Sequence, residues 1–475
     1  MNQELWDKIL AFDLDDPHGE YGFSTRLAIE NFWTQDFTNQ AIIEYKKFMY
    51  LAATSDFMVS PSKIVDNVWH QHLIFTQSYQ DFCALLGKQV QHIPSTRNKE
   101  EFEKFRQAKE RTAKFYERDF GKQPDNYWTY GDMFESLHLE KAKYKLRAFI
   151  IFGILAFICL TVPAYFLLRP FYIHIDNPDF LQGFIVITIF AITALEFYNR
   201  AMLKNIVASF DKNSFIYNLQ PLELVYLKTQ KISDVIHGTV SELVENGAIK
   251  INADNSIEID KTKHPIGISQ KQVAYTLGGL KETFSPNLPW YRSLFLRPQK
   301  SQLGKTFYPD LLKELVVKPI FLSIPNSMDA FLKYFNKSKK LHSLFYVNFA
   351  ILALLLLLAF TRIVTGTLRD KDVALIVFVT FALAIFIIFY LIRLTLLVSK
   401  TTIPNLYKDE ILPARQIENN WQWSYFLLGS KVLATSFVPL VRYIEKNDRS
   451  GGSCGSSCGS SCGSSCSSCG GCGGD

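Results

Sequence analysis

The chain has 475 residues, a net charge of +6 and 48% hydrophobic residues. That length is too great for one compact domain and implies two or three units. The bulk hydrophobic content is near the globular average, so any membrane character must lie in its distribution. The modest positive charge crowds beside apolar windows and reads as a topology signal rather than a nucleic-acid signal. The first 25 residues hold Asp13, Asp15, Asp16 and Pro17 and no apolar core. No cleavable signal peptide is therefore expected, and the first apolar window acts as an uncleaved anchor.

Residues 1–145 read as a helical cytosolic domain. Apolar positions recur at helical spacing over Leu5–Phe12, Thr25–Trp33, Asn39–Ala52, Ser62–Leu86 and Glu100–Asp119. For the fourth helix, Ser60 suits the N-cap, Pro61 the first helical position and Gly87 the stop. That helix holds the densest polar cluster of the domain, Asp66, Trp69, His70, His72 and Tyr79, with His92 just beyond. Histidines with a carboxylate invite a metal reading. Asp66 and His70 share a face, whereas His72 lies about 200° around the helix from His70. One ion would not easily reach both histidines. His72 instead joins the stripe Val65, Val68, Trp69, Thr76, Tyr79 and Cys83, the pattern of a buried, satisfied histidine. Asp66, His70 and His72 form the one candidate catalytic constellation. It is a weak one, and the chain is expected not to be an enzyme.

Several segments carry a family resemblance: Leu14-Asp15-Asp16-Pro17, Phe23-Ser24 with Arg26-Leu27-Ala28 and Glu30-Asn31, Glu44-Tyr45-Lys46-Lys47-Phe48, and Val65-Asp66 with Trp69-His70 and His72-Leu73. The domain resembles the N-terminal part of bacterial membrane proteins related to the glycine-rich-domain-containing-protein-like family. The resemblance is residue-specific over about residues 5–92. It implies the layout of the whole chain: a helical Trp-His-x-His domain, spans, a small central domain, more spans and a low-complexity Cys/Gly tail. It implies no activity.

Four nearly uncharged windows are long enough to cross a hydrocarbon core of ~30 Å. They run over Ala148–Leu168, Phe180–Tyr198, Ser343–Thr361 and Val373–Ile392, in two pairs within residues 148–198 and 343–399. Lys141, Lys143, Lys145 and Arg147 precede the first, and Arg200 and Lys204 follow the second. Lys333, Lys337, Lys339 and Lys340 precede the third, and Lys400 follows the fourth. The connections are more balanced: Arg169 with Asp176 and Asp179, then Arg362, Arg369 and Lys371 with Asp370 and Asp372. The positive-inside rule places both termini and the central domain in the cytoplasm of a bacterial inner membrane. The acidic residue inside a span, Glu196, lies near its end, so a pump or channel has little support.

Residues 205–340 read as a winged-helix-like α+β domain. Leu219–Leu227 and Ser233–Glu245 are helical, Gly247 stops the second, and Ala248–Ile251 and Ser256–Ile259 form a hairpin about Asp254-Asn255. The second helix carries Asp234, Glu242 and Glu245, which phosphate would repel. The expected role is packing or docking of a protein partner, without nucleic acid. Prolines interrupt 263–340, and Gly278-Gly279 is too little for a phosphate loop. In the juxtamembrane segment 400–449, Trp421 and Trp423 introduce Tyr425–Val441, which suits an interfacial location. As a fifth span it would bury Lys431 and carry the tail outside.

Residues 450–475 change composition completely. Cys454, Cys458, Cys462, Cys466, Cys469 and Cys472 are separated only by Gly and Ser. With no other apolar residue, this tail cannot bury a core and is expected to be disordered. Zinc modules prefer two CxxC pairs about a longer loop, whereas these thiols are evenly strung. Even spacing suits compact thiolate clusters of Cu(I) or Zn(II). Cytoplasmic thiols stay reduced and available. The expected function is soft-metal binding or handling at the membrane. In one alternative the tail is the substrate of a trans-acting modifying enzyme that makes azoles from Cys and Ser. In another it is acylated, and in a third it is an inert linker on a scaffold protein. Cys83 and Cys159 sit in apolar helices as small hydrophobes. The fold class expected is thus a mainly α integral membrane protein with two cytosolic domains and a Cys-rich tail.

Overall fold

A computed structural model describes residues 1–16, 21–93, 99–247, 249–259, 306–415 and 420–450. The six tail cysteines, Gly278-Gly279 and Ala248 lie outside the described residues. The fold is mainly helical. In chain order it runs α1 (Gln3–Ala11), α2 (Phe23–Asn31), α3 (Gln35–Thr54), α4 (Lys63–Ile74), α5 (Thr76–Leu86), α6 (Lys99–Phe120) and α7 (Asp125–Trp128). Next come α8 (Leu146–Tyr172), α9 (Asn177–Ala208), α10 (Pro221–Thr229), α11 (Ile232–Glu245), β1 (Ile249–Ile251), β2 (Ser256–Ile259) and β3 (Thr306–Phe307). The chain then forms α12 (Tyr308–Val316), α13 (Pro319–Asn336), α14 (Lys339–Thr367), α15 (Ala374–Leu397), α16 (Trp421–Leu428) and α17 (Val438–Ser450). Contacts divide the chain into two compact units. One takes in the described residues of Met1–Val235 and Val316–Leu427, the other those of Ile236–Glu282, Pro289–Leu315 and Leu428–Asp475.

In the N-terminal bundle, polar side chains close the helix starts by accepting orphan backbone N–H groups. Asn2 accepts from Leu5, and Thr34 from Phe37. The single helix expected over Ser62–Leu86 is two helices, broken at Phe75 (φ −88°, ψ 65°). Its N-cap is Ser62, which accepts from Val65 at 3.2 Å, and not Ser60, whose N–H goes to Thr112 Oγ1 at 2.8 Å. Gly87 does close α5, in the left-handed region at φ 67°. Two buried charges of α3 tie the bundle together. Lys46 Nζ donates to the carbonyls of Leu10 (2.9 Å) and Phe12 (2.7 Å), completing the end of α1. Glu44 accepts from Trp128 Nε1 (2.7 Å), Tyr116 OH (2.8 Å) and Lys47 Nζ (2.8 Å), joining α3 to α6 and α7.

Among the described residues four helices, α8, α9, α14 and the one beginning at Ala374, are long and apolar enough to cross a membrane. The last continues beyond α15 through two π-helical turns, Val398–Thr402 and Tyr407–Ile411, to Arg415. Phe184 and Leu195 of α9, Leu352, Leu355 and Ala359 of α14, and Leu383, Ile387 and Tyr390 of α15 form one buried cluster. Small-residue contact sets the approach of α8 to α14: a Cβ on Gly153 would lie 2.4 Å from Phe349. One expectation is corrected. Arg362 is not in the connection between the third and fourth spans but inside α14, 4% exposed. Its guanidinium donates to the carbonyls of Tyr172 and Ile175 and to Asn177 Oδ1, and lies 4.9 Å from the Phe180 ring centre. A cation there satisfies the carbonyl of the last residue of α8 and one in the turn beyond it.

In the first unit α13 packs against α2, and Asn326 Nδ2 donates to the Ile29 carbonyl at 2.7 Å. Glu223 of α10 closes its own helix start by accepting from Gln220 N–H (2.8 Å) and also accepts from Gln35 N–H at the start of α3 (3.1 Å). The predicted hairpin is present: β1 and β2 pair antiparallel with Lys250 opposite Glu258, and β3 adds at the other edge of β2. The division between the compact units falls within α11, so α10 and the hairpin belong to different units. Tyr425–Val441 is not one helix. The α-helix ends at Leu428, where Gly429 takes φ 62° and opens a 3-10 turn over Gly429–Val432, and α-helix resumes at Val438.

Candidate metal centre

The site is built on α4. Asp66 and His70, one turn apart, share a face: His70 Nε2 lies 3.4 Å from Asp66 Oδ2. His72 lies on the other side and is 0% exposed. Its Nδ1 is 2.8 Å from Tyr45 OH and its Nε2 3.1 Å from Ser78 Oγ. The rings of Phe23, Tyr79 and Phe82 enclose it. Burial lowers its pKa from 6.5 to about 4, so the ring is neutral. Both nitrogens are committed inside the core. His72 therefore does not join His70, and the constellation Asp66, His70 and His72 does not assemble. The break at Phe75 explains the burial, because it turns α5 so that Ser78, Tyr79 and Phe82 close over His72.

His92 takes the place that His72 leaves. Beyond Gly87 the chain returns along α4. Tyr79 fixes that return: its hydroxyl accepts from Trp69 Nε1 at 3.1 Å and donates to the Val90 carbonyl. Two residues on, His92 Nε2 lies 3.0 Å from Asp66 Oδ1. Its ring stands 4.6 Å from that of Trp69 and 4.4 Å from that of His70, centre to centre. One ligand atom from each of Asp66, His70 and His92 lies within 4.8 Å of the others. A tetrahedral zinc ion with bonds of about 2.0–2.1 Å sets neighbouring ligand atoms about 3.3 Å apart. The two imidazoles reach different carboxylate oxygens, His70 the Oδ2 and His92 the Oδ1, so gathering one oxygen and both nitrogens about an ion takes a small side-chain adjustment.

The side chains of Asp66, His70 and His92 are 34%, 58% and 17% exposed, so the centre faces an open groove. The groove is about 640 Å³ and is lined by His70, Leu73, Tyr79, Gln89, Val90, Gln91 and His92. Two imidazoles and a carboxylate suit a borderline divalent ion, and three ligands leave a position open for exchange. The sequence pattern does not reveal the Trp69–Tyr79–Val90 chain of hydrogen bonds. Its one visible signal is the Gly87 stop, which allows the chain to turn back. Of the two cysteines among the described residues, Cys83 is buried and Cys159 is exposed on α8; both are free thiols.

No curated protein and no solved structure matches the chain. A family model described as UCP032817-like matches residues 30–114, the stretch that carries Asp66, His70, His72 and His92.

Proposed function

We propose that this protein is an integral membrane protein that binds or handles soft metal ions, copper or zinc, without enzymatic activity. The observation that carries the reading is the convergence of Asp66, His70 and His92, with ligand atoms within 4.8 Å of one another. The centre holds one ion through two imidazoles and a carboxylate. The six tail cysteines, Cys454, Cys458, Cys462, Cys466, Cys469 and Cys472, supply thiolates of higher affinity for Cu(I) and Zn(II). An ion held by three groups keeps a position to which such a thiolate can bind. A centre and a tail on one chain would then load and release ions by ligand exchange. Topology supports a bacterial inner-membrane placement with both termini in the cytoplasm. The winged-helix-like central segment serves protein partners in this reading, since its acidic second helix disfavours phosphate. The layout also fits the glycine-rich-domain-like resemblance.

The test is metal content by mass spectrometry of purified protein, with and without residues 450–475, and with His70→Ala and His92→Ala. The reading expects loss of several ions with the tail and of one ion with the histidines. Equal copper and zinc stoichiometry in all four would sink it.

A further inference from the structure

A second polar cluster lies between α9 and α15. Asn177 Nδ2 donates to the Asp372 carbonyl at 2.7 Å, so the two helices start side by side. Glu196 and Arg393 each lie about 19 residues past the start of their helix, or about 28 Å along it. That is where a hydrocarbon core of about 30 Å ends. Arg393 grips both Glu196 oxygens, Nη1 to Oε2 at 3.0 Å and Nη2 to Oε1 at 2.8 Å. Arg200 uses only its Nε, at 2.9 Å from Oε1, and its side chain is 59% exposed. Two cations and one carboxylate leave a net charge of +1. Beside them opens a groove of about 560 Å³, walled by Ile192, Phe197, Phe386 and Phe389. Phe197 and Phe389 are 72% and 68% exposed.

A salt bridge between helices needs one arginine, and Arg393 already satisfies the carboxylate. The second arginine leaves a guanidinium fork at the level of lipid phosphates, above an apolar groove. Resting on the placement of α9 and α15 in a bilayer, we propose that this groove binds an anionic glycerophospholipid. The phosphodiester accepts from the Nη groups of Arg200 and cancels the +1 charge. The acyl chain lies along the phenylalanine wall. A zwitterionic lipid offers the same chains but no net charge to match. The metal centre on α4 plays no part in this site.

The test uses the full chain, purified in detergent and stripped of lipid. Phosphatidylglycerol and phosphatidylcholine with identical acyl chains are offered, and retained lipid is counted by native mass spectrometry. Phosphatidylglycerol should be retained about fivefold better. Arg200→Gln should remove the preference, Arg200→Lys should restore part of it, and Arg147→Gln, at the start of α8, should keep it. Excess sodium phosphate should not displace the lipid. Equal retention of the two lipids, or a preference that survives Arg200→Gln, would overturn the proposal. Full displacement by inorganic phosphate would overturn it in favour of a free-phosphate site. Recovery of the chain from cells in the aqueous fraction would overturn it together with the membrane placement, while leaving the metal reading to its own test.

Discussion

Acidification should loosen the N-terminal bundle at His72 first. The ring is 0% exposed, with Tyr45 and Ser78 on its two nitrogens. Burial lowers its pKa from 6.5 to about 4. A group whose folded pKa is depressed contributes stability that is complete above the unfolded value and lost as pH falls toward the folded one. The window is therefore pH 6.5 down to about 4. That lowering corresponds to about 3 kcal/mol. Lys46, which burial lowers to about 8, titrates above this window. The assay is hydrogen exchange read by mass spectrometry on peptides from α4 and α5, corrected for the intrinsic pH dependence of exchange. Protection should fall by about 3 kcal/mol between pH 6.5 and 4. His72→Gln should weaken protection at neutral pH by about 1–3 kcal/mol and remove the slope. Protection that is flat across the window, or a slope that survives His72→Gln, would refute the burial argument.

Tyr79→Phe cuts the link from Trp69 to the Val90 carbonyl and frees the segment carrying His92; zinc affinity measured by calorimetry should drop about 10–100-fold with the three ligands intact. Glu223, raised by burial to about 7, works opposite to His72: its stabilising contribution fades as pH rises from 4.5 to about 7. Exchange at α10 should therefore speed up over that range, and Glu223→Gln should flatten the response. Gly153→Ala places a Cβ 2.4 Å from Phe349, so the α8–α14 contact must shift. Its thermal unfolding in detergent should show a loss of about 1–3 kcal/mol. The intact mass of the tail from its native host should equal the sequence mass; losses of water and hydrogen would indicate azole formation and favour the modified-substrate alternative.

How legible these features were depended on the range of the interactions behind them. The four long apolar helices could be read directly because uncharged runs of that length need no partner to be recognised. Their ends could not, since a charge stops the pattern before it stops the helix: α14 runs on through Arg362, and the fourth helix continues well beyond Ile392. Gly87 was legible because its left-handed conformation is a local demand. The break at Phe75 was not, because residues on both sides keep helical spacing. The candidate centre was half legible. Asp66 and His70 follow from one turn of helix, and the position of His72 on the opposite face follows from the same geometry. The approach of His92 depends on Tyr79 holding Val90, a tertiary hydrogen bond that no spacing encodes. The segment Tyr425–Val441 keeps an apolar pattern throughout, yet the positive φ of Gly429 ends the first helix.

The central claim is that Asp66, His70 and His92 hold one ion. Its most direct test is a zinc titration by calorimetry of the protein lacking residues 450–475, beside the same chain carrying His70→Ala and His92→Ala. The account predicts one equivalent bound by the first and none by the second, with His72→Gln still binding one. Binding that persists in the double variant, or no binding by the parent chain, would contradict it.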